Sequence, residues 1–479
     1  MNNQRRTLWA FTAIIAAIAV YCYNPFALYF QNDDFIHIPL SAQGVLLQHN
    51  TFRPICDLSI MLDYSLWGKN AYGYHFTNLI LHIICTVFVF LLACGIQKKY
   101  RPVSDGSYAF ITALLFFLYP MHSEAVLWIL GRSAILGCMF FLLSIVFFLK
   151  RDKQIFFFLS IFSALAAWFS YESSWILPVI LFCISFIDTR IKHANLKKET
   201  QFIFAVVLCF TAYIITRNYF IHEVIGQYEA AGFLHFNIES LTTNFLKLML
   251  RSWLPPFEDS IWLIVLFILI FGLLTAFYFQ LKEKSSKSFL FVLMALWLVA
   301  LIPYASLGID TKGTEGERFI YLPSVFNCQI VSFCIHHFSS KRYFQNIALS
   351  VLAIFYLGIL YINAGNYRLA GNIVKATITE VGKLLPNQTL YVQSLPQSQN
   401  GALIFRDGFK EAVDWMLNTQ PAHSIVICSA MPENMHIQNL YKVQYTDSVI
   451  LNQCNGAKPG KDSVVAIFNY TDSVLYISK

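Results

Sequence analysis

The sequence carries little charge, because only 13% of its 479 residues are Asp, Glu, Lys or Arg. Soluble domains contain about 25% charged residues, and disordered chains need even more charge and fewer apolar residues. Here 57% of the residues are hydrophobic, 16% are aromatic and the mean hydropathy is +0.55. The composition therefore excludes a soluble globular or disordered protein and predicts a polytopic membrane protein.

Several catalytic motifs are absent as well. The 11 cysteines include no C-x-x-C pair, and the chain has no H-E-x-x-H, G-x-S-x-G or G-x-G-x-x-G motif. Residues 456–462 resemble a P-loop, but the glycine spacing is one residue short and Asp462 stands where Ser or Thr is needed. Zinc proteolysis and ATP hydrolysis are not expected. The net charge of +7 does not cluster on a soluble face, so nucleic acid is not an expected partner.

Apolar runs of spanning or nearly spanning length follow one another along most of the chain. Eleven are predicted to cross the lipid bilayer: 8–30, 74–96, 107–120, 133–149, 154–170, 174–187, 201–217, 260–281, 288–305, 320–338 and 344–363. Half of the 34 Lys and Arg lie in connectors that follow an even number of these spans. The positive-inside rule makes those connectors cytoplasmic, which places the N-terminus inside and the C-terminus outside.

The sequence changes character after the last predicted span. Residues 364–479 contain no apolar run of spanning length and show strand-like alternation and one helical stretch. We predict a polytopic all-α transmembrane domain over 1–363 and a small α/β extracytoplasmic domain over 364–479. Cys428 and Cys454 of this domain either pair or remain free thiols. The expected location is a bacterial cytoplasmic (inner) membrane.

The main chemical signal is Asn32-Asp33-Asp34, directly outside the first predicted span. Two adjacent carboxylates at a membrane boundary are either an ordinary solvated pair or a functional one. The functional interpretation is a general base or a pair that holds a divalent cation at the mouth of a cavity.

Further polar residues fall on the same predicted external side. They are Arg53, His122, Glu124, Arg132, Glu172, Glu317 and Arg318. A phosphate-bearing donor requires cations that bind its phosphate. A hydroxyl acceptor requires a carboxylate that takes its proton. Each residue also has a structural interpretation: Glu317 and Arg318 could flank a span, Arg132 could snorkel, and His75 could be a core histidine.

The order of these motifs resembles the membrane part of the transmembrane and tetratricopeptide-repeat O-mannosyltransferases. The shared motifs are Asn32-Asp-Asp, Phe52-Arg-Pro followed by residues 67–82, Tyr119-Pro-Met-His-Ser-Glu124 with Gly131-Arg132, Tyr171-Glu172, and Glu317-Arg318-Phe-Ile-Tyr321-Leu-Pro-Ser. They extend over roughly residues 1–340. The resemblance implies a GT-C class glycosyltransferase, a polyprenyl-phosphate-linked sugar as donor, and a catalytic acid in the first external loop. No 34-residue repeat follows, so the acceptor class does not carry over.

The leading hypothesis is therefore an inverting transferase. Asp33 would deprotonate the acceptor hydroxyl, Asp34 would orient it or share a metal, and Glu124 would be a second acid or an acceptor contact. The donor phosphate would be bound by Arg132, Arg318 and Arg53, and other substrate contacts would come from His122, Glu172, His75, Glu317 and Tyr321. The acceptor is a protein Ser or Thr, an envelope glycan or a lipid. The alternatives are a transporter or flippase of a lipid-linked sugar, and a structural assembly factor.

Overall fold

The computed structural model describes most of the chain. The described residues are 17, 20–46, 52–100, 107–151, 153–192, 196–222, 238–257, 260–338, 342–383, 389–393, 395–418, 425–427, 463–467 and 477–478. Residues 8–16, 18 and 19 of the first predicted span, 8–30, lie outside them, and so do Cys428 and Cys454.

The described part is mostly helical. Its α-helices are α1 (Asp34–Ala42), α2 (Pro54–Trp67), α3 (Ala71–Tyr100), α4 (Tyr108–Leu118), α5 (Ser123–Leu127), α6 (Arg132–Phe148), α7 (Gln154–Trp168), α8 (Leu177–Lys192), α9 (Leu196–Ile221), α10 (Ile238–Arg251), α11 (Ser260–Gln280), α12 (Lys284–Leu301), α13 (Ser324–Phe338), α14 (Arg342–Val381) and α15 (Phe409–Leu417). Every predicted span from 74–96 onward corresponds to a helix.

Within the described residues, six helices are long and apolar enough to cross a membrane. A seventh span results if α4 and residues 120–127, which meet at a bend of 56°, are taken together. Pro120 lies at this bend and cannot continue the α-helical hydrogen bonding. The chain is thus a polytopic membrane protein, but the predicted number of eleven spans is not confirmed, because α7, α8 and α13 are shorter than a full bilayer crossing.

The helices differ in how deeply they lie in the protein. In the apolar window of residues 129–148, which includes α6, 83% of the residues are buried, whereas only 6% are buried in the window of α11. Helix α6 packs against α3 and α7 and is therefore central, while α11 presents its apolar side chains to the membrane. The central helix begins at Arg132, so this arginine enters the protein interior.

The last long helix, α14, continues through the predicted domain boundary at residue 363 and ends at Val381. Beyond it lie a four-stranded sheet and a two-stranded hairpin, formed by β1 (Thr389–Gln393), β2 (Ser398–Gln399), β3 (Ala402–Leu403), β4 (Ile425–Ile427), β5 (Ser463–Ile467) and β6 (Ile477–Ser478). The sheet order is β4-β1-β5-β6. Strand β1 is parallel to β4 and β5, with Leu390 opposite Ile425 and Val464, and β6 is antiparallel to β5. Whether residues 364–479 form an independent domain stays a prediction.

Candidate active site

The two adjacent acids Asp33 and Asp34 have different surroundings. Asp33 is the N-cap residue of α1 and is half-buried, and its Oδ1 accepts a hydrogen bond of 2.7 Å from Asn32 Nδ2. Asp34 begins α1 and is fully buried, and its Oδ2 accepts a bond of 2.9 Å from the Gln31 N–H. Of the pair, Asp33 is the more exposed carboxylate.

Burial raises the pKa of Asp34 well above the usual range, and the hydrogen bond from the Gln31 N–H only partly opposes this. The charge of Asp33 acts in the same direction as burial, because two neighbouring carboxylates disfavour each other's ionised form. Asp34 is thus enclosed at the start of α1, and the orienting or metal-sharing role predicted for it stays a prediction.

Glu124 and Arg318 form the second group of the site. The Arg318 backbone N–H donates to Glu124 Oε2 at 2.9 Å, and the Arg318 guanidinium pairs with Oε1 of the same carboxylate. The Arg318 side chain is 20% exposed, while Glu124 is buried. The chain turns tightly between Glu124 and Gly131, because a Cβ on Gly131 would lie 2.3 Å from the Glu124 carbonyl oxygen. Only glycine fits this approach. Within the ion pair, the Arg318 side chain is more exposed than that of Glu124.

Arg53 and Glu172, both predicted for the site, pair with each other. Arg53 Nη2 lies 2.8 Å from Glu172 Oε2, and the Arg53 guanidinium stacks 4.7 Å from the centre of the Tyr171 ring. Arg217, which the sequence analysis did not select, also reaches Glu172, with 3.4 Å between Nη1 and Oε1. Two guanidinium groups therefore share the Glu172 carboxylate.

Arg132, predicted to bind the donor phosphate, is fully buried. Its guanidinium donates to Asp63 Oδ2 at 2.5 Å, to Asn78 Oδ1 at 2.7 Å and to the Tyr74 carbonyl at 3.0 Å. A buried arginine with these partners supports the junction of α2, α3 and α6. This geometry favours a structural role for Arg132 and leaves phosphate contact to the more exposed arginines.

Glu317, predicted as a substrate contact, is also fully buried. It forms an ion pair with Arg251 of α10 at 2.6 Å, and neither side chain is exposed. Burial raises the pKa of Glu317, and the positive charge of Arg251 partly offsets this effect. Arg251 further donates to the carbonyls of Asp310 and Leu254 at 3.0 and 2.6 Å. The pair connects α10 to the loop that leads to Arg318.

The remaining predicted contacts belong to a buried polar layer beneath these groups. His75 Nε2 lies 3.2 Å from the Tyr29 carbonyl oxygen, and His122 Nε2 lies 2.7 Å from Ser324 Oγ. The Tyr321 hydroxyl lies 2.7 Å from His82 Nδ1. His75, His122 and Tyr321 are buried, so none of these three predicted contacts is open to solvent.

The sequence analysis missed several acids and arginines that accompany the predicted residues. Asp57 of α2 is buried beside Arg53; burial raises its pKa to about 7, with partial compensation by the Arg53 charge. Asp63, Arg217 and Arg251 are the ion-pair partners described above. An acidic residue on an otherwise apolar helix was the available signal for Asp57 and Asp63, since a buried charge requires a partner.

A segment after β3 also reaches the site. Arg406 forms a bidentate ion pair with Glu315, with distances of 2.6 and 2.8 Å. Burial disfavours the charge of Glu315, but the hydrogen bonds and charge of Arg406 outweigh it and lower the pKa of this acid. The Asp407 N–H donates to Asn32 Oδ1 at 2.8 Å. Residues far apart in sequence thus meet at the acidic loop.

Metal binding was a further expectation for Asp33 and Asp34. In the part of the chain that the structure describes, no group of three or more His, Cys, Asp or Glu side chains is arranged to hold a metal ion. A cation at this loop would therefore need further oxygen ligands besides the Asp33 and Asp34 carboxylates.

Comparison with known proteins supports the predicted resemblance. No protein-family model matches the chain. It is 38% identical to the Mus musculus protein O-mannosyl-transferase TMTC1 over 106 residues, covering 22% of this chain and 11% of that protein. It is 26% identical to the Homo sapiens protein O-mannosyl-transferase TMTC3 over 386 residues, covering 69% of this chain and 40% of that protein. The similarity predicted from the motifs is confirmed, although the chain spans 40% or less of the length of these relatives.

Among solved structures, the chain is similar to ArnT from Cupriavidus metallidurans bound to undecaprenyl phosphate. The superposition covers 87% of this chain and 86% of that one, with a TM-score of 0.49 and 11% sequence identity.

Proposed function

We propose that the chain is a membrane glycosyltransferase that moves a sugar from a polyprenyl-phosphate-linked donor to an acceptor hydroxyl. Asp33 removes the hydroxyl proton as the acceptor oxygen bonds to C1 of the sugar, and the bond between C1 and the phosphate oxygen breaks. Polyprenyl phosphate leaves with the electron pair. The observation that carries this proposal is the contrast between the half-buried Asp33 and the fully buried Asp34 in one loop.

Arg318 and Arg53 are the groups that we assign to the donor phosphate. Both guanidinium groups are partly exposed, at 20% and 17%, whereas Arg132 is completely enclosed. The phosphate becomes more negative as the bond to the sugar breaks, so a fixed cation stabilises the transition state more than the ground state. The names of the relatives make mannose the first candidate for the sugar and a protein hydroxyl the first candidate for the acceptor.

Arg318→Ala is expected to weaken transition-state stabilisation by about 2–4 kcal/mol, because it removes a charge-assisted contact to the leaving phosphate. Arg318→Lys keeps the charge but loses the planar fork, so it should lie between Ala and wild type. The measurement is kcat/KM for a polyprenyl-phosphate sugar with purified protein.

The matched control is Arg151→Ala. Arg151 is paired with Glu199 at 2.6 Å and its side chain is 12% exposed, but it lies in a connector predicted to be cytoplasmic. This variant should retain normal turnover. Unchanged turnover in a stable Arg318→Ala protein would remove the phosphate role and leave a simple ion pair with Glu124.

The proposed orientation places this site on the extracytoplasmic side of a bacterial cytoplasmic membrane, with the N-terminus in the cytoplasm. The support is the distribution of Lys and Arg among the connectors. A membrane-impermeant thiol reagent should label a cysteine introduced at position 385 in intact cells and one at position 105 or 285 only after lysis. Labelling of position 385 only after lysis would reverse the orientation.

A divalent cation near Asp33 and Asp34 stays a prediction, which inhibition of the wild-type protein by a chelator would support. The transporter alternative is less favoured, because the sequence relatives are named as transferases.

A further inference from the structure

Residues 404–408, here called the 404–408 segment, lie against the loop that carries Asp33. The Asn32 N–H donates to the Ile404 carbonyl at 2.9 Å, and the Asp407 N–H donates to Asn32 Oδ1 at 2.8 Å. Asn32 has a positive φ of 48°, a conformation that asparagine tolerates better than most residues. Both the backbone and the side chain of Asn32 are thus hydrogen-bonded to a segment more than 370 residues away in the sequence.

These hydrogen bonds fix the direction of the Asn32 amide. A backbone N–H can only donate, so the atom that faces Asp407 must be the amide oxygen. The amide nitrogen is then directed to the other side, where it donates to Asp33 Oδ1 at 2.7 Å. The 404–408 segment therefore determines which group Asn32 offers to the Asp33 carboxylate.

The same junction is close-packed. Gly408 has a φ of 79°, and a Cβ at this position would lie 2.6 Å from the Asn32 carbonyl oxygen. On the apolar side, the Phe35 ring stacks on that of Phe405 with 6.3 Å between centroids. A displacement of the segment would move Asn32 with it, because little free space separates the two.

The middle of the segment is fixed as well. Arg406 forms its bidentate ion pair with Glu315, three residues before Arg318. Five consecutive residues thus connect the loop of the proposed base to the loop of the proposed phosphate ligand.

We propose that the 404–408 segment is a positioning element of the active site, which orients Asp33 through Asn32 and sets its place relative to Arg318. This inference rests on the proposed function. It assigns to the C-terminal part of the chain a role in the chemical step, in addition to any role in acceptor recognition.

Gly408→Ala tests the proposal, with Gly44→Ala as its matched control. Both glycines have a φ of 79°, but a Cβ on Gly44 has no heavy atom within 4 Å. The left-handed φ is therefore the same at both positions, and the close approach to the Asn32 carbonyl is found at Gly408 alone. We expect Gly408→Ala to lower kcat at least about tenfold without changing the KM for the donor, since small misplacements of reacting groups are costly. Gly44→Ala should retain kcat.

Asn32→Asp supplies a second readout that a merely structural role would not change. Aspartate keeps an oxygen for the Asp407 N–H but places a carboxylate beside Asp33 in place of a donor. Like charges disfavour ionisation, so the acidic limb of the pH–rate profile should move upward by about one pH unit. An unmoved profile, or equal kcat in Gly408→Ala and Gly44→Ala, would overturn the positioning role.

Hydrogen exchange of residues 32–36 separates this proposal from the proposed function. Faster exchange in Gly408→Ala than in Gly44→Ala is expected whether or not transfer is detected. If the two variants show this exchange difference but the wild-type protein transfers no sugar, the glycosyltransferase function alone is contradicted. Equal exchange in the two variants would contradict the positioning element alone.

Discussion

Replacing Asp33 by Asn is expected to lower the rate of sugar transfer at least about 10²-fold, the low end of what acid–base catalysis contributes. Asparagine is nearly isosteric with aspartate but cannot take the hydroxyl proton. Donor binding should change little, because the phosphate is assigned to Arg318 and Arg53. The measurements are kcat with purified protein and the equilibrium Kd for a labelled polyprenyl-phosphate sugar.

Asp34→Asn is the matched control for this change. Asp34 is fully buried and accepts a hydrogen bond from the Gln31 N–H, which an asparagine oxygen can also accept. Its effect on transfer should therefore be milder than that of Asp33→Asn. If Asp34→Asn abolished transfer and Asp33→Asn did not, the two roles would be reversed; near-normal transfer by both would exclude this loop as the source of the base.

Arg132→Met is expected to destabilise the folded protein by about 3–5 kcal/mol, because it leaves the Asp63 carboxylate buried without its partner. The guanidinium of Arg132 is completely enclosed and bonds to Asp63 at 2.5 Å. The expected result is a strong fall in the amount of folded protein and in its thermal midpoint, measured by fluorescence-detected size-exclusion chromatography after heating.

The double variant Arg132→Met/Asp63→Leu checks the cause. Replacing both members of a buried ion pair by apolar residues costs much less than breaking it, so stability should recover in part. A well-folded Arg132→Met protein with impaired donor binding would instead restore the phosphate-binding role that the sequence motifs predicted for this arginine.

Part of the fold could be predicted from the sequence and part could not. The helices of the membrane part were predictable, because an uninterrupted apolar run has few alternatives in a bilayer. The end of α14 was not predictable from the apolar run. Beyond that run the helix is amphipathic rather than uniformly apolar, with Tyr367, Ile373 and Val374 on its buried side. A loss of overall hydropathy after residue 363 therefore marks a change of surroundings and not the end of the helix.

The candidate site was predictable at the level of the charged motifs, but not at the level of which charges face a substrate. Arg132 and Arg318 look alike in the sequence, and both precede apolar stretches. They differ in exposure, which depends on partners distant in the chain. Arg132 is fully buried in its ion pair with Asp63, whereas Arg318 remains partly exposed in its ion pair with Glu124. The contribution of the 404–408 segment depends on tertiary contacts with Asn32 and was invisible without the structure.

The most direct test of the central claim is a single-turnover experiment with excess purified protein in lipid vesicles. The substrates are a polyprenyl-phosphate mannose labelled in the sugar and an acceptor fraction of envelope proteins, glycans and lipids. The glycosyltransferase account predicts that wild-type protein moves the label to an acceptor with stoichiometric release of polyprenyl phosphate, and that Asp33→Asn protein binds the donor without this transfer. Label that changes leaflet while still attached to its lipid, at the same rate in both proteins, would contradict the account and indicate transport instead.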